Sequence, residues 1–92
     1  MPGDELEYAE LWYNVYVKPM EGGTGQLLGV YERLHHAMVK IRAVENGTDE
    51  HTNYIPAIGD GLFLSARITD RDKKHWKEDV SCMAVFDGDN WK

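Results

Sequence analysis

Between Leu11 and Val17 the chain alternates in a way that leaves neither side polar. Side chains of a strand point in turn to opposite faces, so Leu11, Tyr13, Val15 and Val17 form one apolar row. The opposite row holds Trp12 and Tyr16 with only Asn14 between them. The alternation predicts a first strand from about Tyr8 to Lys18, stopped at Pro19, which cannot donate to a ladder. Glu21-Gly22-Gly23-Thr24-Gly25 reads as a flexible turn, and Gln26 to Tyr31 as the second strand of an antiparallel hairpin.

The period changes at Leu34. Ala37, Met38, Ile41 and Val44 follow it at the spacings of one helical face, while Arg33, His36, Lys40 and Arg42 lie mostly on the other side. No good N-cap residue precedes this helix; Asn46-Gly47 is a left-handed stop for it. From Thr48 to Gly61 no period holds, and loops beyond about 12 residues are uncommon in compact domains and often functional. Tyr54 and Ile55 are expected to pin this loop to the core.

A third strand follows, with Leu62, Leu64, Ala66 and Ile68 alternating against Phe63, Ser65, Arg67 and Thr69. Asp70 to His75 is a polar connection, Trp76 is expected to anchor it, and the last strand covers Val80 to Phe86. The predicted fold is α+β: an antiparallel sheet of about four strands with one helix on one face, in the order ββαββ. Residues 1–92 form one domain, of which residues 1–7 are expected to be a frayed acidic lead-in.

One helix covers one face of a small sheet. Leu11, Tyr13, Val15, Val17, Leu62, Leu64, Ala66, Ile68, Val80, Cys82, Ala84 and Phe86 are assigned to the helix side, leaving Trp12, Tyr16, Phe63, Arg67, Met83 and Val85 on the open side. Exposed aromatic and aliphatic patches of that kind mark interaction sites. Either a partner covers the patch, most commonly a second copy of the chain, or the long loop or an irregular tail folds over it.

Composition narrows the classes. An apolar share of 42% and a charged share of 28% are those of a folded protein. No run approaches the roughly 20 apolar residues of a membrane span, the first residues are acidic where a secretory signal would be basic, and Cys82 is the only cysteine. A reducing cytoplasm is the expected location. The net charge of −6 disfavours nucleic-acid backbones and favours basic partners. Acidic residues cluster at Asp4, Glu5, Glu7 and Glu10, at Glu45, Asp49 and Glu50, and at Asp87 and Asp89. Such groups can imitate the phosphate row of DNA, but Arg33, Lys40 and Arg42 interrupt the pattern, which favours ordinary solvated faces.

Motifs for chemistry are weak. His35 and His36 point about 100° apart on a helix, and no His pair has the i, i+4 spacing of a helical zinc site. Asp70-x-Asp72 lacks the glycine and closing glutamate of a calcium loop. The glycines at 22–25 and 59–61 lack the Lys and following helix of a phosphate loop. Ser65, Ser81 and Cys82 sit in no nucleophile signature. No enzyme activity, cofactor or metal is expected.

The segments Tyr13-Asn14-Val15-Tyr16-Val17 and Leu28-Gly29-Val30-Tyr31, followed by a helix with Ala37, resemble small uncharacterised bacterial and phage proteins with a hairpin-then-helix opening. Phe63-Leu64-Ser65-Ala66-Arg67 and Asp72-x-x-His75-Trp76 resemble a later segment that some of them carry. The resemblance implies this fold and a phage or mobile-element setting, hence the host cytoplasm. In that setting a small acidic protein without catalysis is expected to inhibit a host defence or nucleic-acid-handling protein, in the manner of an anti-CRISPR. Trp12, Tyr16, Phe63, Arg67 and Met83 would form the interface, with Asp49 and Glu50 meeting a basic partner surface. The alternative is a dimer that holds a small molecule or nucleotide signal between aromatic faces, with Arg67 on its phosphate.

Overall fold

The computed structural model describes residues 10–49, 54–69 and 76–92. Four strands and one helix follow in the order β1 (Glu10–Pro19), β2 (Gln26–Tyr31), α1 (Leu34–Glu45), β3 (Asp60–Thr69) and β4 (Trp76–Val85). All pairings are antiparallel and the sheet order is β2-β1-β3-β4. The α+β class and the ββαββ order therefore stand as expected. β2 and β3 both run against β1, so they are parallel to each other, and α1 carries the chain over β1 from one to the other. The acidic lead-in, Glu50 and the connection through residues 70–75 lie outside the described residues, as does the side chain of Trp76.

The core explains why the helix lies where it does. Ala37 and Ile41, four residues apart on one helical face, are completely buried together with Val15, Val17 and Leu62. Ala37 has no side chain beyond Cβ, which brings the helix close to the sheet, and Ile41 fills the space beside it. The helix rests on β1 and β2. The core over β3 and β4 is completed by Tyr54, Met83 and Trp91, which pack against the same cluster. Gly47 ends α1 at φ 69°, with the Thr48 amide donating to Ala43 O and the Gly47 amide to Val44 O. That is a Schellman stop, built on the one residue type without a Cβ penalty there.

Two β-bulges set which side chains share a face. In β4 the register with β3 slips between Leu62 and Phe63: Ala84 stands opposite Leu62, but Cys82 stands opposite Phe63, and Met83 is the extra residue. A one-residue slip moves every following side chain to the other face. Val80 and Cys82, expected on the helix side, therefore stand in the rows of Ser65 and Phe63 on the open side. Met83, expected on the open side, packs against the core cluster instead. The second bulge, in β2, lies opposite the Val15/Tyr16 step and makes Leu28 the extra residue. β4 also begins at Trp76 rather than Val80, because Lys77, Glu78 and Asp79 pair with β3 despite their charge.

Truncating Ile41 to Ala should cost about 2–5 kcal/mol in urea unfolding, the range for an aliphatic side chain removed from a closed core. Val39→Ala on the same helix, at a half-exposed position, should stay within about 0.5 kcal/mol. Equal losses at the two positions would contradict this packing.

Candidate interaction surface

The sheet face away from α1 is built by alternate residues of β1 and β3. Trp12, Asn14 and Tyr16 of β1 stand opposite Arg67, Ser65 and Phe63 of β3. Tyr16 and Phe63 stack with ring centroids 5.4 Å apart and planes 15° off parallel. The Lys18 ammonium lies 5.5 Å from the Phe63 ring centre on the same side. Gly61, two residues before Phe63 on the same row, is a structural requirement: a Cβ there would sit 2.6 Å from the Phe63 ring and from Met20 Sδ. Phe63 is closed in at 7% exposure, while Tyr16 and Trp12 are partly buried. Phe63 thus supports the surface from beneath, and Tyr16 and Trp12 present it.

A small polar row crosses this face. Ser65 is almost fully buried and donates from Oγ to Glu78 Oε1 at 3.0 Å. Burial and the neighbouring Glu78 carboxylate hold the Tyr16 phenol above its ordinary pKa, so Tyr16 stays a neutral donor. The face is flanked by exposed aliphatics: Leu27 and Val30 on β2, Val80 on β4, with the thiol of Cys82 beside them. Leu27, Val30, Val80, Cys82 and Glu78 were missing from the sequence assignment of this face. The first two lie on a short edge strand, and the others depend on the Met83 bulge.

Charge on this face is mixed. Lys18 and Arg67 are cationic and Glu78 is anionic, whereas the chain as a whole carries −6. Two of the other described acidic groups are engaged within the fold. Asp49, expected to reach a basic partner, is held by Lys40 at 2.5 Å, with 10% of each side chain exposed. It therefore works within the fold, fastening the start of the long loop to α1. Glu50 lies outside the described residues. Asp87 caps its own turn: the amides of Asn90 and Asp89 and the Lys92 ammonium hold its carboxyl well below the usual range.

The far end of that loop is locked by Asp60. Its carboxylate accepts the Tyr54 hydroxyl and, at 2.9 Å, the Ala57 amide. Gly59 and Asp60 exchange backbone hydrogen bonds with Phe86, and Gly59 O accepts the Met20 amide. Tyr54 packs on the core cluster, whereas Ile55, expected to pin the loop beside it, is 88% exposed.

Among the described residues no group of three or more His, Cys, Asp or Glu is placed to hold a metal. His35 and His36 stand side by side with ring centres 5.8 Å apart, both exposed on α1. No described helix is long and apolar enough to cross a membrane. No family model, curated protein or solved structure matches this chain.

Burial and the Asp60 carboxylate raise the Tyr54 pKa well above its ordinary value of 10.0. A phenol kept protonated by folding contributes stability that is complete below about pH 10 and fades as pH climbs toward the raised value. The stability advantage of the native chain over Tyr54→Phe should therefore shrink between about pH 9 and pH 11 in urea titrations. An advantage that stays constant across that range would contradict the Tyr54–Asp60 hydrogen bond.

Proposed function

We propose that this chain acts by binding another protein through the open sheet face, without catalysis. The observation that carries this reading is the apolar face built around Trp12 and Tyr16, opposite the face that α1 covers. Aromatic side chains that are partly buried and backed by a buried ring are among those that dominate binding energy at interfaces. They lose little conformational freedom on docking, because the Phe63 stack already orients Tyr16. Arg67 and Glu78 supply polar contacts at the margin, and Val80 extends the patch across β4.

The chain's charge enters at a different stage. A net charge of −6 attracts a basic protein over the range of a Debye length, about 8–10 Å, and then leaves the aromatic contact to hold it. The partner is a host protein with a basic surface, of a defence or nucleic-acid-handling system. The chain is its phage- or mobile-element-encoded inhibitor, anti-CRISPR in type, acting in the host cytoplasm. This setting rests on the resemblance of the hairpin, helix and Phe63–Arg67 segments to small phage and bacterial proteins.

Capture from bacterial lysate with the native chain, Trp12→Ala and Val80→Lys as parallel baits tests the reading. Val80 is 52% exposed, so its replacement leaves the core intact. A partner held by the native chain should be lost or weakened at least about tenfold by either variant. Added salt should slow its association while leaving its dissociation within about twofold. A partner retained equally by all three baits would place the binding site elsewhere on the molecule.

A further inference from the structure

The two outer strands are treated very differently at their edges. β4 carries Lys77, Glu78 and Asp79 in succession, all exposed, and charges along an edge oppose the approach of another strand. β2 reads Gln26-Leu27-Leu28-Gly29-Val30-Tyr31 and is the one strand of the four with no charged residue. Leu27 is 58% and Val30 47% exposed. Beside this edge runs a groove of about 610 Å³ between β2 and α1, with Leu28 and Tyr31 on the strand wall and Val39 and Ala43 on the helix wall. Val39 is 52% exposed, an apolar side chain at the rim of a groove that His36 and Thr48 also line. Lys40 and Asp49 also line the groove, and their ion pair removes most of their charge from it.

We infer that β2 and this groove form the contact between two copies of the chain, with β2 pairing antiparallel to its own symmetry mate. A two-fold axis normal to the sheet reverses the strand direction and keeps both helices on one side. The exposed Val39 of each copy then meets the groove wall of the other. An isologous interface needs a patch that offers both a projection and a hollow, and Val39 beside Leu28 and Ala43 provides both. Charge selects the occupant. Two copies that each carry −6 repel unless they meet where the surface is uncharged, and β2 is the strand that allows it. The bulge at Leu28 interrupts the edge and limits the ladder to a few hydrogen bonds, so the helix contact is needed as well. A six-residue edge is only about 20 Å long, which makes the contact smaller than the ~800 Å² per partner of a standard interface. The dimer is accordingly weak and reversible. It joins two open faces edge to edge, with Leu27 and Val30 of both copies along the seam.

Sedimentation of the full chain between about 5 and 500 μM, a range suited to an interface below standard size, tests this directly. The expected result is a reversible monomer–dimer equilibrium. Its dissociation constant rises at least about tenfold in Val39→Lys and in Leu27→Lys, since each puts a charge into the contact. Val80→Lys, at the opposite edge, leaves it unchanged. Both lysine variants replace exposed side chains, and circular dichroism verifies that they fold. A chain that stays monomeric across the range, or a dimer insensitive to Val39→Lys, overturns the assignment. A dimer lost in Val80→Lys but not in Val39→Lys also overturns it, by moving the contact to the open face.

Discussion

The seating of Ala37 and Ile41 on Val15, Val17 and Leu62 is the contact on which the rest of the structure depends. It uses the chain's one described helix on one face of a four-stranded sheet. Once that helix lies over β1 and β2, the remaining helix-side surface is closed by Tyr54, Met83 and Trp91, drawn from the long loop, the β4 bulge and the residues after β4. Tyr54 is tied to Asp60, and Phe86 to Gly59 and Asp60. All of this closure is spent on one side. The opposite face carries Trp12 and Tyr16, with Phe63 buried beside Tyr16.

Much of the fold was legible along the chain. The alternation from Leu11 to Val17 located β1, and Asn46-Gly47 located the end of α1 because only an uncommitted backbone such as glycine's accepts φ 69° there cheaply. Trp12, Tyr16, Phe63 and Arg67 fell on one face as the period-2 pattern required. The misassigned faces share one cause. In Cys82-Met83-Ala84-Val85 every residue is apolar, so the sequence holds no polar marker of where the alternation slips. The extra residue at Met83 exchanged the faces of Val80 and Cys82, and Leu28 hides in Leu27-Leu28 in the same way. The start of β4 was hidden because Lys77, Glu78 and Asp79 look like a turn, yet an outer strand with solvent beside it accommodates them. Asp49 was read as a free acidic group because its partner Lys40 lies nine residues back on α1, a distance that only the tertiary fold brings to an ion pair.

This arrangement separates two physical roles that sequence composition blends together. The open face combines aromatic rings with the mixed charges of Lys18, Arg67 and Glu78, whereas Asp49 and Asp87 are engaged in ion pairs with Lys40 and Lys92. Long-range attraction to a basic protein and short-range apolar contact can thus act in sequence on one partner. The polar contact of Ser65 with Glu78 keeps the face from being uniformly apolar.

Cys82 offers the most direct probe of this account, because the exposed thiol lies on the open face opposite Phe63 and is the only one in the chain. Its alkylation rate can be measured in the free chain and in the purified complex with a protein retained from bacterial lysate. The account predicts that docking slows alkylation at least about tenfold, because the core of an interface excludes water and reagent. An unchanged rate in an intact complex would contradict it, and would mean that the open face is not where this chain binds.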